Sequence, residues 1–146
     1  MLDKALINAA LLNIEEHYAR SHAPITQFSM AREYITLKLA TRVNEVFGVI
    51  FLDTKHCPIA MEELFTGTID GAAVYPRVVV QRALFHNAAA VLLYHNHPSG
   101  NPEPSAADQA ITNRLKEALS LVEVRVLDHI VVGGATITSF AERGLL

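Results

Sequence analysis

Cysteine is almost missing from this chain: Cys57 is the only one in 146 residues. A single thiol closes no intramolecular disulfide and builds no thiolate zinc cage, so nothing here requires an oxidising compartment. Long apolar runs are also missing. The longest, Ala88 to Tyr94, spans seven residues, whereas a membrane helix needs about 20. The opening stretch MLDKALINAALLNIEEHYAR is interrupted by Asp3, Glu15 and Glu16 and lacks a signal-peptide layout, so a cytoplasmic protein is expected. No basic run appears, and 12 Lys+Arg against 15 Asp+Glu leave a net charge of −3. That balance argues against a dedicated nucleic-acid or membrane-surface binder. With 51% hydrophobic residues, 7 Gly and 6 Pro, disorder, collagen-like repeats and coiled coil are excluded. The length suits one compact domain able to bury its own core.

Periodicity then gives the elements. Ile7, Leu11, Ile14 and Tyr18 share one face of a helix over Leu2–Arg20, which Pro24 ends. Ser29 is placed to cap a second helix running to Ala40. Glu45–Asp53 (EVFGVIFLD) and Pro58–Gly67 read as strands joined by the turn Asp53-Thr54-Lys55-His56. Pro76 opens a helix that ends near Asn87, and Ala88–Tyr94 reads as a buried strand. Ser105 starts a helix whose apolar stripe is Ile111, Leu115, Ala118, Leu119 and Val122. Short strands near Val124–Leu127, Ile130–Val132 and Thr136–Thr138, with Gly133-Gly134 as a hairpin turn, complete an α/β (or α+β) fold with a mixed sheet.

The chemistry concentrates at His95 and His97. Residues i and i+2 of an extended segment point the same way, so two imidazoles face one point. The turn-rich loop Pro98–Pro104 can fold back the helix begun at Ser105, and Asp108 lies in that helix's first turn. Two histidines and a carboxylate, with a fourth position left to water, make a catalytic zinc arrangement. Blander readings compete with it. A lone histidine at a strand end is ordinarily a hydrogen-bonded polar residue, and Ser105-x-x-Asp108 alone is a helix cap. The combination is harder to explain by caps and packing, and capping and ligation can coexist. The letters His95-Asn96-His97 also spell the name of a nuclease motif, whose residues are spread over a ββα unit rather than consecutive. A zinc deaminase would need a Pro-Cys-x-x-Cys that this chain lacks.

The pattern H-x-H-x7-S-x2-D over His95 to Asp108 resembles the JAMM (MPN+) metalloprotease signature. The longer stretch LLYHNHPSGNPEPSAAD, with EVFGVIFLD, GTIDGAAVYPR, LDHIVVG and SFAERGLL, resembles the bacterial RadC-like branch of that family, over roughly Ser29 to Leu146. The resemblance implies a JAB/MPN domain at residues 29–146, with residues 1–28 as an N-terminal helix and linker. That domain is a curved mixed sheet flanked by helices, similar to cytidine deaminases. It implies that His95, His97 and Asp108 ligate Zn2+. Glu45 would be the general base, and Ser105 would donate a hydrogen bond to the oxyanion. Longer relatives carry an N-terminal helix-hairpin-helix region, and this chain is expected to be a short form without it.

The expected function is therefore zinc-dependent hydrolysis of amide bonds, peptide or isopeptide, in a protein or peptide substrate. The rival expectations are a non-enzymatic zinc-binding interaction module and a DNA-repair accessory, the latter disfavoured by the charge. Substrate selection is expected from the loops Thr66–Tyr75 and Pro98–Pro104. An exposed strand edge can support a homodimer. Asp128 and His129 read equally as support for the ligands or as a strand-end hydrogen bond.

Overall fold

The computed structural model describes residues 2–21, 28–67 and 73–146. Two helices, α1 (Lys4–Ser21) and α2 (Phe28–Leu39), precede the hairpin of β1 (Val46–Leu52) and β2 (Pro58–Thr66). Then follow α3 (Pro76–Phe85), β3 (Ala90–Asn96), α4 (Ala106–Ser120), β4 (Arg125–Gly133) and β5 (Thr136–Ser139). The strands form one sheet in the order β2-β1-β3-β4-β5. Only β3 and β4 run parallel, joined by the crossover through α4; the other neighbours are antiparallel. A mixed sheet with helices on both faces is the expected class.

Local chemistry explains the boundaries. The Asp53 carboxylate accepts from the amides of Lys55 (2.8 Å) and Cys57 (2.9 Å), which closes the β1–β2 turn. Pro76 occupies the first turn of α3, where its missing N–H costs nothing. Every residue of β1 and β3 is buried, because helices cover both faces. On one face Ile35 and Leu39 of α2 pack over Val46, Ile50, Leu52, Leu92 and Tyr94. On the other, Val79 and Ala83 of α3 with Leu115 and Leu119 of α4 pack over Phe47, Val49, Phe51, Val91 and Leu93. Each Val, Leu, Ile or Phe side chain among these contributes about 1.5–3 kcal/mol on burial. Gly48 sits where the Tyr94 ring crosses β1: a Cβ there would lie 2.1 Å from that ring. Helix α1 packs on α2 through Ile7, Leu11 and Tyr34, whose hydroxyl donates to Glu15.

Two expectations need correction. Helix α2 is described from Phe28, so Ser29 lies within the helix and not at the position before it. The segments read as separate strands near Val124–Leu127 and Ile130–Val132 are one strand, β4, beginning at Arg125. Its pairing with β3 slips between Val91 and Leu92, opposite Val126 and Asp128, which leaves Leu127 as a bulge. The bulge exchanges the faces. Val126 packs on the α3/α4 side, yet Ile130 and Val132, of the same parity, pack on the α2 side.

Candidate metal centre

The centre lies at the C-terminal end of β3. His95 is within that strand, and the His97 amide donates to the Val132 carbonyl (2.8 Å), so the extended geometry continues through both histidines. Their rings converge, with Nε2 to Nε2 3.0 Å. The loop then reverses: Gly100, at φ +89°, donates its amide to the His97 carbonyl (3.0 Å). The Asn101 carbonyl lies 2.8 Å from His97 Nδ1. A carbonyl only accepts, so Nδ1 carries the proton and Nε2 is turned toward the centre. Glu103 in this loop pairs with Arg143 at 2.7 and 2.8 Å.

Ser105 is the N-cap of α4. Its Oγ accepts from the Asp108 amide (3.0 Å), and its own amide donates to Asp108 Oδ2 (2.8 Å). This box fixes the Asp108 carboxylate, whose Oδ2 lies 2.9 Å from His97 Nε2 and whose Oδ1 lies 3.3 Å from His95 Nε2. Capping and convergence thus coexist in one side chain. Glu45, immediately before β1, brings a carboxylate oxygen to the same place. One donor atom from each of Glu45, His95, His97 and Asp108 lies within 4.8 Å of the other three.

Two imidazole nitrogens and a carboxylate oxygen at these distances are held together by shared hydrogens or by a metal ion. The spacing suits a metal. A tetrahedral ion with ligands at about 2.0–2.1 Å separates them by about 3.3 Å. Burial, the largest influence on Asp108, pushes its carboxyl up. The adjacent His95 and His97 imidazoles, with the Ser105 amide, outweigh that and hold it well below the usual carboxylate range. Burial raises the Glu45 carboxyl; His95 and His97 pull it down and Asp108 pushes it up again. The Asp108 hydrogen bond raises His97 against its burial.

Three further residues belong to this centre, and sequence reasoning either missed them or left them open. Asn96 points to the opposite face of β3. Its Oδ1 accepts from the Val46 amide (2.7 Å) and its Nδ2 donates to the Asn44 carbonyl (3.0 Å), so it clamps the backbone on both sides of Glu45. His129, fully buried, lies with Nε2 2.7 Å from His95 Nδ1. Burial first, then the adjacent His95, hold its pKa far below the ordinary histidine value. Thr112, one turn along α4 from Asp108, lies 2.6 Å from His129 Nδ1. The one signal for these was polarity out of place: an asparagine ending an apolar strand, and a threonine on the stripe of Leu115 and Leu119. Asp128 does not join the cluster. Its carboxylate accepts from the amides of His129 (2.7 Å) and Ala141 (2.9 Å) and from Ser139 Oγ (2.5 Å). Within the loop Thr66–Tyr75, residues 68–72 lie outside the described residues. No described helix is long and apolar enough to cross a membrane.

Residues 25–145 match the family model described as the RadC-like JAB domain. A UPF0758 protein of Xanthomonas axonopodis pv. citri is 62% identical over 113 residues, covering 77% of this chain and 50% of that protein. One from Nitrosococcus oceani is 59% identical over 122 residues, 84% of this chain and 54% of its own length. One from Thioalkalivibrio sulfidiphilus is 53% identical over 143 residues, 98% of this chain and 63% of its own length. The chain therefore spans about half to under two-thirds of the length of these relatives.

Proposed function

The chain belongs to the RadC-like JAB domain family, and from that premise we propose that it is a zinc-dependent hydrolase of amide bonds, acting on a peptide or isopeptide in a protein substrate. One observation carries the reading. Glu45, from a separate stretch of chain, brings a carboxylate oxygen within 4.8 Å of the donor atoms of His95, His97 and Asp108, which supports reading it as a base beside three ligands. A purely structural zinc site closes its coordination sphere and has no use for such a group.

His95, His97 and Asp108 would hold the zinc, which would supply Lewis acidity toward water and a scissile carbonyl. The chain's own residues do the rest. Glu45 takes the proton of the attacking water and later delivers it to the leaving amine. Ser105 Oγ already accepts from the Asp108 amide, which leaves its hydroxyl proton to donate to the developing oxyanion. Asn96 holds the Glu45 backbone in place from behind β3.

The test is zinc content, followed by cleavage of a peptide and isopeptide library with and without chelator. About one zinc per chain and chelator-sensitive cleavage are expected. Glu45→Gln keeps size and shape but accepts no proton. It is expected to retain zinc and lose at least about a hundredfold in turnover, within the usual range of general-base contributions. Unchanged turnover in Glu45→Gln removes that residue from the mechanism. A zinc-loaded protein that cleaves nothing returns the reading to a metal-binding module without activity.

A further inference from the structure

The geometry points to a fixed-polarity hydrogen-bond relay, in which Thr112 and His129 are positioning residues that set the tautomer of His95 and so aim its Nε2 lone pair at the metal. This rests on the reading of His95 as a ligand.

The relay begins at a backbone carbonyl. Thr112 Oγ1 lies 2.7 Å from the Asp108 carbonyl oxygen and 2.6 Å from His129 Nδ1. A carbonyl oxygen only accepts, and the hydroxyl has one proton, so that proton goes to Asp108. Oγ1 must then accept from His129 Nδ1–H. His129 has no exposed surface, and a bare imidazolium there would be costly, so the ring is neutral and carries no second proton. Its Nε2 is an acceptor, and His95 Nδ1, 2.7 Å away, is the donor. A neutral His95 protonated at Nδ1 has its lone pair on Nε2, the atom facing His97 and Asp108. The opposite polarity leaves two oxygens at 2.7 Å with no proton between them. It also places a proton on His95 Nε2, where it would block ligation.

The surroundings hold the relay still. Phe140 stacks on the His129 ring, with centroids 4.6 Å apart, and Phe47 meets its edge at 5.5 Å. The Leu127 bulge turns His129 to the α4 face, where Thr112 can reach it. Asp108 thus acts on both histidines, through its carboxylate directly and through its backbone carbonyl by way of Thr112 and His129.

The test uses the full chain with zinc as the probe. Thr112→Val keeps the shape and removes the hydroxyl, while Thr112→Ser keeps the hydroxyl. Zinc affinity, measured by competition with a chromogenic chelator, is expected to fall about 10–100-fold in Thr112→Val, the usual cost of losing a group behind a ligand, and to be largely restored in Thr112→Ser. Histidine nitrogen NMR of the zinc-loaded wild type is expected to show the proton on Nδ1 of both His95 and His129. A folded Thr112→Val with wild-type zinc affinity overturns the relay, and so does a His129 protonated at Nε2. Should Thr112→Val fail to fold, the wild-type tautomers decide the matter. Should the wild type bind no zinc, the ligand reading fails, and the His129 tautomer still tests the relay.

Discussion

The Asp108 carboxylate divides its oxygens between helix and centre. Oδ2 accepts from the Ser105 amide at 2.8 Å and lies 2.9 Å from His97, while Oδ1 turns toward His95. The two roles can be separated because an amide still caps but ligates poorly. Asp108→Asn is expected to keep the cap, and with it a melting temperature close to wild type. It is expected to lose more than the roughly 10–100-fold in zinc affinity that a residue merely behind a ligand would cost. A competition titration alongside a thermal melt checks both, and wild-type zinc affinity would deny ligation. The spacing of His95, His97, Ser105 and Asp108 was legible because a strand end and a helix start each fix their own side chains. Glu45 was not legible by spacing, since only the resemblance carried it to the centre from a distant stretch. Thr112 and His129 acquire meaning only against each other, across α4 and β4. No periodicity records such a contact.

Among the elements, β4 shows where pattern reading fails. Residues before Leu127 and after Asp128 alternate in opposite phase because the bulge exchanges the faces, so one strand reads as two. The buried polar pair deepened the impression of a break, although the Asp128 carboxylate is fully engaged by two amides and Ser139. At its far end β4 seats the loop that carries the centre. A Cβ added at Gly133 would lie 2.3 Å from Pro102 N, 2.5 Å from the Asn101 carbonyl carbon and 2.8 Å from the Gly100 oxygen. Those atoms are backbone and cannot rotate aside. The Asn101 carbonyl is also the one that accepts the hydrogen bond from His97 Nδ1–H. Gly133→Ala is therefore expected to cost about 1–3 kcal/mol of stability by overpacking. By displacing that carbonyl it should also weaken zinc by about 10–100-fold. Thermal unfolding and the same competition titration read the two effects. Neither would move if the loop were free of the strand.

At the scale of the whole molecule, the centre is mounted on a core that does not depend on it. The sheet is packed on both faces by helices, and the donors sit at its rim: just before β1, at the end of β3 and at the start of α4. A zinc finger, with almost no core, unfolds without its ion. Here the apolar packing is large and the donor atoms are already gathered, so ion binding adds stability without creating the fold. Chelated protein is expected to keep its far-ultraviolet circular dichroism and to unfold in one cooperative step. Zinc at about 1,000 times its dissociation constant adds about 4 kcal/mol to the native state by mass action. For a chain of this size each kcal/mol moves the midpoint by about 2–4 °C. A zinc-dependent rise in melting temperature of about 10 °C is therefore expected. It should be absent in Asp108→Ala and retained in Glu45→Gln, because Glu45 is assigned to the proton and not to the ion. A flat melting temperature across zinc concentrations would show that the cluster holds no resident ion. Collapse on chelation would show that the packed sheet is not what carries the fold.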